Sequence, residues 1–271
     1  MKEVKILYGA TEFGAPHFSA DLLWRTDFRV HDPVFFWEIG KEKFLFVSAL
    51  EFGRARIEAD VDIVLETAAL MKRTRANTAV DAIAAFLKSR GVRKVAVSHA
   101  VPHHVGERLK RRFSLTMVPD SLYPDRARKT PREVREIQRA QRAVERAIAL
   151  ARAVLRASTI RGRRIIYKEK LLTSELLRKQ MEAEMYAMGY VATGTIIAGE
   201  IQAAHPHAYG TGPLPAHAPI VLDVFPVSMQ SHYWADCTRT LFKGEPSAAF
   251  KKMYEAVRAA QLLGIEKVRA G

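Results

Sequence analysis

Two short apolar runs near the N-terminus predict a pair of strands. Residues 33–40 (PVFFWEIG) and 42–50 (EKFLFVSAL) are dense in aromatic and β-branched side chains and are separated by a charged boundary at Lys41 to Lys43. Residues 77–91 (NTAVDAIAAFLKSRG) instead place apolar side chains at helical spacing between a polar start and a final glycine. The next residues, RKVAVSHA, read as another strand. This succession favours an α/β domain over residues 1–124.

The pattern changes after a proline-containing, basic segment at residues 121–131. Thr130 as N-cap, Pro131 as first helical residue and Glu133 behind them predict a long helix that runs to about Ala157. Residues 173–189 predict a second helix, followed by strand candidates in VATGTIIAG, PIVLDVFPV and SHYWADCTRTLF and a last helix over about 246–268. Helices before strands without regular alternation predict an α+β domain over residues 125–271.

Composition narrows the class of protein. Of 271 residues, 48% are hydrophobic and 27% charged, which excludes a disordered or collagen-like chain. The net charge of +14 favours anionic partners where the bases cluster. A single cysteine, Cys237, suits a reducing compartment. No apolar run is long enough for a signal peptide or a membrane span, so we expect a cytoplasmic protein with no membrane contact.

Two acidic residues interrupt the apolar runs of residues 219–242. Folding the segment as a hairpin about Met229 and Gln230 would place Asp223 directly opposite Asp236. Two like charges buried among apolar side chains need a shared proton, an arginine or a divalent cation, and carboxylate oxygens suit Mg, Mn or Ca. The alternative is that the strands are offset and that Arg239 or solvent neutralises each aspartate separately.

A loop with two histidines, HPHAYGTG at residues 205–212, precedes these strands. A loop histidine beside a metal site could donate a hydrogen bond to a substrate carbonyl or an oxyanion. The alternative for this loop is a solvent-exposed polar turn.

These segments together carry a family resemblance. IIAGEIQAAHPHA, IVLDVFP and YWADCTRTLFKGEP, followed by a helix with MYEAVRAAQ, resemble the M24 metallopeptidases of the pita-bread fold, in particular the Xaa-Pro dipeptidases and aminopeptidase P. The N-terminal half is similar to the creatinase-type domain of that group in the segments SADLLWRTDF and FLFVSALE. The start of the long helix that follows, KTPREVREI, also has a counterpart in that group. The resemblance implies a creatinase-like α/β domain, residues 1–124, followed by the front part of an α+β pita-bread catalytic domain, residues 125–271.

The resemblance also implies an activity and a site. The activity is hydrolysis of the bond between an N-terminal residue and proline by a metal-bridging hydroxide held between two divalent ions, Mn or Co. Asp223 would be a metal ligand, Asp236 would bridge both ions, and His207 would lie beside the peptide substrate. Thr238 would contact Asp236 and orient it, and Tyr233 would likewise act on the metal ligands rather than bind the metal ions. A homodimer is expected.

The chain departs from the family at several positions. The family completes its site with one histidine and two glutamates well downstream of the position where this sequence ends. We therefore expect a truncated chain, a gene fragment or a degenerate relative, and both an active and an inactive chain stay open as alternatives. Phe225 stands two positions after Asp223 where the family has glycine, and His232 replaces a glycine before Tyr233.

Four other features of the sequence could carry a function. Arginines at alternating spacings of four and three predict a basic stripe on the long helix: Arg128, Arg132, Arg135, Arg139, Arg142 and Arg146. In a non-catalytic relative this stripe would bind a protein or nucleic-acid partner. Such a stripe is more often a solvated helix face. Cys237 alternates with Asp236 and should face the core rather than act as a nucleophile. His99, His103 and His104 indicate a surface turn more than a metal site. Nucleotide-binding glycine motifs are absent from the sequence.

Overall fold

A computed structural model describes residues 3–270 and divides the chain into two compact units, residues 1–129 and 130–271. The division falls five residues after the predicted boundary. No described helix is both long enough and apolar enough to cross a membrane.

The first unit is built on one six-stranded mixed sheet. In spatial order the strands run β4-β3-β2-β1-β5-β6, with antiparallel pairs β1–β2 and β2–β3 and parallel pairs elsewhere. The strands are β1 (Val4–Gly9), β2 (Val34–Ile39), β3 (Glu42–Val47), β4 (Ile63–Glu66), β5 (Lys94–Ser98) and β6 (Ser114–Val118). The helices are α1 (Ala20–Thr26), α2 (Ala49–Glu58), α3 (Thr67–Thr74), α4 (Ala79–Ser89) and α5 (His103–Lys110).

The predicted strand pair and helix of this unit are confirmed. Strands β2 and β3 pair so that Trp37 lies opposite Phe44, with the two rings stacked 5.7 Å apart in the core. Helix α4 begins after Thr78, whose hydroxyl accepts the Asp81 amide, and buries its apolar face in the same core. The expected turn around the three histidines is in part the start of α5, in which His103 and His104 are exposed.

In its described residues the second unit combines three α-helices with three small sheets. The helices are α6 (Pro131–Ala157), α7 (Ser174–Ala187) and α8 (Ala248–Lys267). The sheets are β7-β8-β9, β10-β13 and β11-β12-β14. Their strands are β7 (Thr159–Arg161), β8 (Arg164–Tyr167), β9 (Lys170–Leu171), β10 (Tyr190–Val191), β11 (Ile196–Gly199), β12 (Ile220–Val224), β13 (Val227–Ser228) and β14 (Cys237–Leu241).

The long helix α6 starts where the sequence predicts. Thr130 and Glu133 form a reciprocal capping box, and Pro131 occupies the first turn. One face of α6 supplies small and branched side chains to a core shared with α7 and with β11, β12 and β14. Arg128, predicted as part of the stripe on this helix, precedes Thr130 and ends a 3-10 segment at Pro124–Ala127, because the capping box fixes the start of α6 beyond it.

Helix α8 differs from α6 and α7 because none of its residues is buried. Its apolar side chains are largely exposed, with Tyr254 and Val257 at 65% and 64%. The sequence predicted this helix to within two residues but gave no sign of its exposure.

Candidate functional site

Asp223 lies on β12 and Asp236 comes directly before the neighbouring antiparallel strand β14, but the two are not opposite one another. In the ladder of β12 and β14, Asp223 pairs with Thr238 and Val224 with Cys237. Asp236 precedes β14 and, in the same register, would face Phe225. The prediction that the carboxylates are directly opposite is therefore wrong. They are diagonal neighbours on one face, where Cα atoms are typically about 7–8 Å apart.

The connection between the strands explains this shift. Ser228 and Tyr233 close a four-residue loop, and the Ser228 hydroxyl accepts the amides of Gln230 and Ser231. His232 ends the loop with a positive φ of 58°, the conformation that glycine adopts most readily. The loop is centred one residue later than predicted, which moves the pairing by two positions and so keeps both aspartates on the same face.

Burial also differs between the two aspartates. Asp223 is half-buried and its Oδ1 accepts a hydrogen bond from Thr238 Oγ1, whereas Asp236 is exposed. Neither forms an ion pair with any described residue, and the Arg239 guanidinium donates to the Thr238 carbonyl instead. The expectation that both carboxylates are buried is wrong for Asp236. The alternative of offset strands, with solvent rather than Arg239 at Asp236, agrees with this arrangement.

The two expected supporting residues have other partners. Thr238 contacts Asp223 rather than Asp236, since the register places it across from Asp223. The Tyr233 hydroxyl donates to the buried Glu133 carboxylate at 2.8 Å. Glu133 also accepts the Thr130 amide in the capping box of α6. Tyr233 thus ties the segment between β13 and β14, which also contains Asp236, to the start of α6.

His207 lies at the exposed tip of a loop that is held firmly at its base. The Gln202 side chain donates to the Thr211 carbonyl and accepts the Thr211 amide. Arg178 on α7 donates to the carbonyls of Thr195, Tyr209 and Gly210. The Tyr209 carbonyl in turn accepts the Ile197 amide, so the loop runs along the edge strand β11, next to the strand of Asp223.

A third anchor, at the start of α7, closes the loop. The Glu175 carboxylate accepts the Gly212 amide at 2.9 Å, and this hydrogen bond is the main reason that the pKa of Glu175 lies below its usual value. Gly210 is packed so tightly that an added Cβ would lie 1.7 Å from the Ile197 carbonyl oxygen.

These anchors were not found by sequence reasoning. Arg178, Gln202 and Glu175 are surface-type residues in helical segments, and their partners are backbone atoms distant in the chain. The one available signal was the pair Gly210 and Gly212, whose spacing marks a loop needing positive φ.

Cys237 differs from His207 and Asp236 in its accessibility to solvent. Cys237 is buried in the core of the second unit, as the alternation with Asp236 predicts. His207 and Asp236 are exposed and so accessible from solvent.

The donor set agrees in chemistry with a hard divalent cation but is incomplete. Two carboxylates on one sheet face offer oxygen ligands of the kind that Mn or Mg binds. Across the described part of the chain, however, no three His, Cys, Asp or Glu side chains form a group that could hold a metal ion. Two carboxylates alone could supply only part of a coordination shell, not a closed site.

The second half of the chain matches a known protein family. The sequence profile of metallopeptidase family M24 matches residues 135–271, just over half of the chain. No curated protein matches the sequence.

Several solved structures share the fold. They include the prolidase from Pyrococcus horikoshii OT3, with 19% identity and a TM-score of 0.73 over 99% of this chain and 69% of that chain. The Xaa-Pro dipeptidase from Bacillus anthracis has 18% identity and a TM-score of 0.75, with 99% and 68% covered. The X-Pro aminopeptidase from Thermotoga maritima MSB8 has 18% identity and a TM-score of 0.76, with 99% and 70% covered. This chain thus spans about two thirds of the length of each.

Proposed function

Because the chain belongs to metallopeptidase family M24, we propose that it is a metal-dependent exopeptidase that hydrolyses the bond between an N-terminal residue and proline. The shared fold with prolidase, Xaa-Pro dipeptidase and X-Pro aminopeptidase structures supports this substrate class. The proposed cofactors are two divalent ions, Mn or Co, and the proposed assembly is a homodimer in the cytoplasm. Residues 1–124 are proposed as a creatinase-like domain and residues 125–271 as the front part of a pita-bread catalytic domain.

The observation that carries this proposal is the placement of the two carboxylates. Asp223 and Asp236 share one face of adjacent strands, and a hydrogen bond from Thr238 orients Asp223. We assign Asp223 as a ligand of one metal ion and Asp236 as a ligand shared by both. His207, on the anchored loop beside β11, is assigned to the substrate.

Metal binding is the direct test. The chain should bind Mn²⁺, measured by the decrease of the free-ion electron paramagnetic resonance signal, with a dissociation constant of about 10⁻⁴ to 10⁻³ M, since only two carboxylates contribute charge. Asp236→Asn should weaken binding about tenfold, because it removes one of the two charges. Asp125→Asn, an exposed carboxylate in the other unit, should leave binding unchanged. Equal Mn²⁺ binding by wild type and Asp236→Asn would contradict the assigned ligand.

Hydrolysis tests the substrate class separately. With Mn²⁺ present, proline should be released from an Xaa-Pro dipeptide, or the first residue from a longer Xaa-Pro peptide. A chelator or Asp236→Asn should stop the release. Mn²⁺ binding without hydrolysis of either substrate would favour the non-catalytic relative instead.

A further inference from the structure

One face of α6 carries a row of arginines that the proposed peptidase site does not use. We define this arginine face by its seven exposed members: Arg132, Arg135, Arg139, Arg142, Arg146, Arg152 and Arg156. At 100° per residue they span about 160° of the helix, and the residues of α6 that enter the core lie on the opposite side. From first to last the row covers roughly 36 Å.

Few carboxylates neutralise this face. Arg139 pairs with Glu136 and Arg146 with Glu184, and the arginine side chains in these pairs are 57% and 69% exposed. Such exposed pairs contribute little and exchange partners readily. Arg135, Arg142, Arg152 and Arg156 form no ion pair with any residue from 3 to 270. By helical angle, Glu145 is the one acidic side chain of α6 that falls inside the 160° span of the row.

The chemistry of the face suits anions that accept paired hydrogen bonds, and phosphate is one of them. All seven basic residues of α6 are arginine and none is lysine. The planar guanidinium binds phosphate oxygens in pairs, which the ammonium of lysine does not. A lipid surface fits less well, because the apolar side of α6 is already buried in the core and cannot enter a bilayer.

The spacing favours a duplex. A row of positive charges about 36 Å long matches roughly one turn of double-stranded DNA, with its regular phosphates. Exposed aromatic side chains that could stack on unpaired bases are absent from α6, whose sequence contains no Phe, Trp or Tyr. We propose that the arginine face binds the phosphate backbone of double-stranded DNA without reading its base sequence.

The salt dependence of binding tests this proposal, with fluorescence anisotropy of a labelled DNA duplex of about 20 base pairs between about 50 and 200 mM salt. The triple variant Arg135→Gln, Arg142→Gln and Arg152→Gln should reduce the slope of log K against log salt by about 2.7, or 0.9 for each phosphate that is no longer neutralised. Replacing the same three arginines by lysine should preserve the slope, because the charge remains. Glutamine and arginine have similar helix propensities, so α6 should stay folded, as circular dichroism can verify.

A matched control separates the face from net charge. Lys110→Gln, Arg111→Gln and Arg112→Gln remove the same charge from exposed positions at the end of α5 and should leave the slope unchanged. An equal reduction of the slope in both triple variants would overturn the proposal. If polyglutamate displaced the labelled duplex as well as unlabelled duplex does, the proposal would be overturned in favour of an acidic protein partner. Binding to anionic vesicles but not to duplex would overturn it in favour of a lipid surface. None of these measurements depends on peptidase activity.

Discussion

The hydroxyl of Thr238 ties the Asp223 carboxylate to the neighbouring strand. This hydrogen bond limits the rotation of the carboxylate. Asp236 has no such partner among the described residues and is exposed. The two candidate ligands therefore differ in how firmly they are held: a hydrogen bond positions Asp223, whereas Asp236 can reorient in solvent.

Replacing Thr238 by valine should separate the hydrogen bond from strand packing. Thr238→Val keeps the β-branched shape but removes the donor, so we expect a decrease of about 1 kcal/mol in the free energy of unfolding. Mn²⁺ binding should weaken with it if Asp223 is a ligand. Thr240→Val, at an exposed position further along β14, is the control. Urea unfolding measures the stability of both, and an equal change in the two variants would rule out a specific role for the Thr238 hydroxyl.

Among the structural elements, the loop that carries His207 has its backbone held by side-chain hydrogen bonds. Side chains from α7 and from the 3-10 segment at Glu200–Ala204 hold backbone atoms at its base. The glutamate among them, Glu175, accepts the Gly212 amide as a carboxylate, and its lowered pKa means that this anchor is present above its ordinary pKa and lost as the pH falls below the lowered value.

Two glycines in this loop allow a matched test of its packing. Gly210 and Gly212 both have positive φ, at 79° and 73°, but only Gly210 is in close contact with the backbone of β11. Gly212→Ala should cost about 1–2 kcal/mol from the left-handed conformation alone. Gly210→Ala should cost clearly more, because the new methyl group displaces the loop from Ile197. Thermal unfolding of the two variants measures the difference, and equal costs would show that the contact at Gly210 relaxes freely.

Over the whole molecule, the most unusual surface is α8. Six of its apolar side chains are at least 52% exposed, in a chain whose other long helices bury one face: Met253, Tyr254, Val257, Leu262, Leu263 and Ile265. A contiguous exposed apolar surface marks an interaction site or a tendency to aggregate. This surface provides a physical route to the proposed homodimer.

Removing apolar surface from α8 should weaken self-association. We expect sedimentation velocity to show concentration-dependent association of the chain, reduced by the double variant Val257→Gln and Ile265→Gln. The control, Lys252→Gln and Arg258→Gln, lowers the charge repulsion between copies of a basic chain and should leave association unchanged or increase it. A wild-type chain that stays monomeric at all concentrations would contradict this prediction.

Local patterns of residue types were enough to place many elements of this protein. Capping residues and periodicity located the starts of α4, α6 and α7 and the strand pair β2–β3, because these signals act within a few residues of chain. Strand alternation also assigned Cys237 to the core. The hairpin of β7 and β8 was not predicted, since its residues 159–167 carry arginines rather than a clear alternating pattern.

The geometry of the site, in contrast, comes from tertiary packing. The register of Asp223 against Thr238 depends on how the loop from Ser228 to Tyr233 closes, and the exposure of Asp236 depends on which elements cover the sheet. The anchors of the His207 loop join atoms up to 37 residues apart. Such contacts arise from the packing of whole elements, and no local pattern of residue types encodes them.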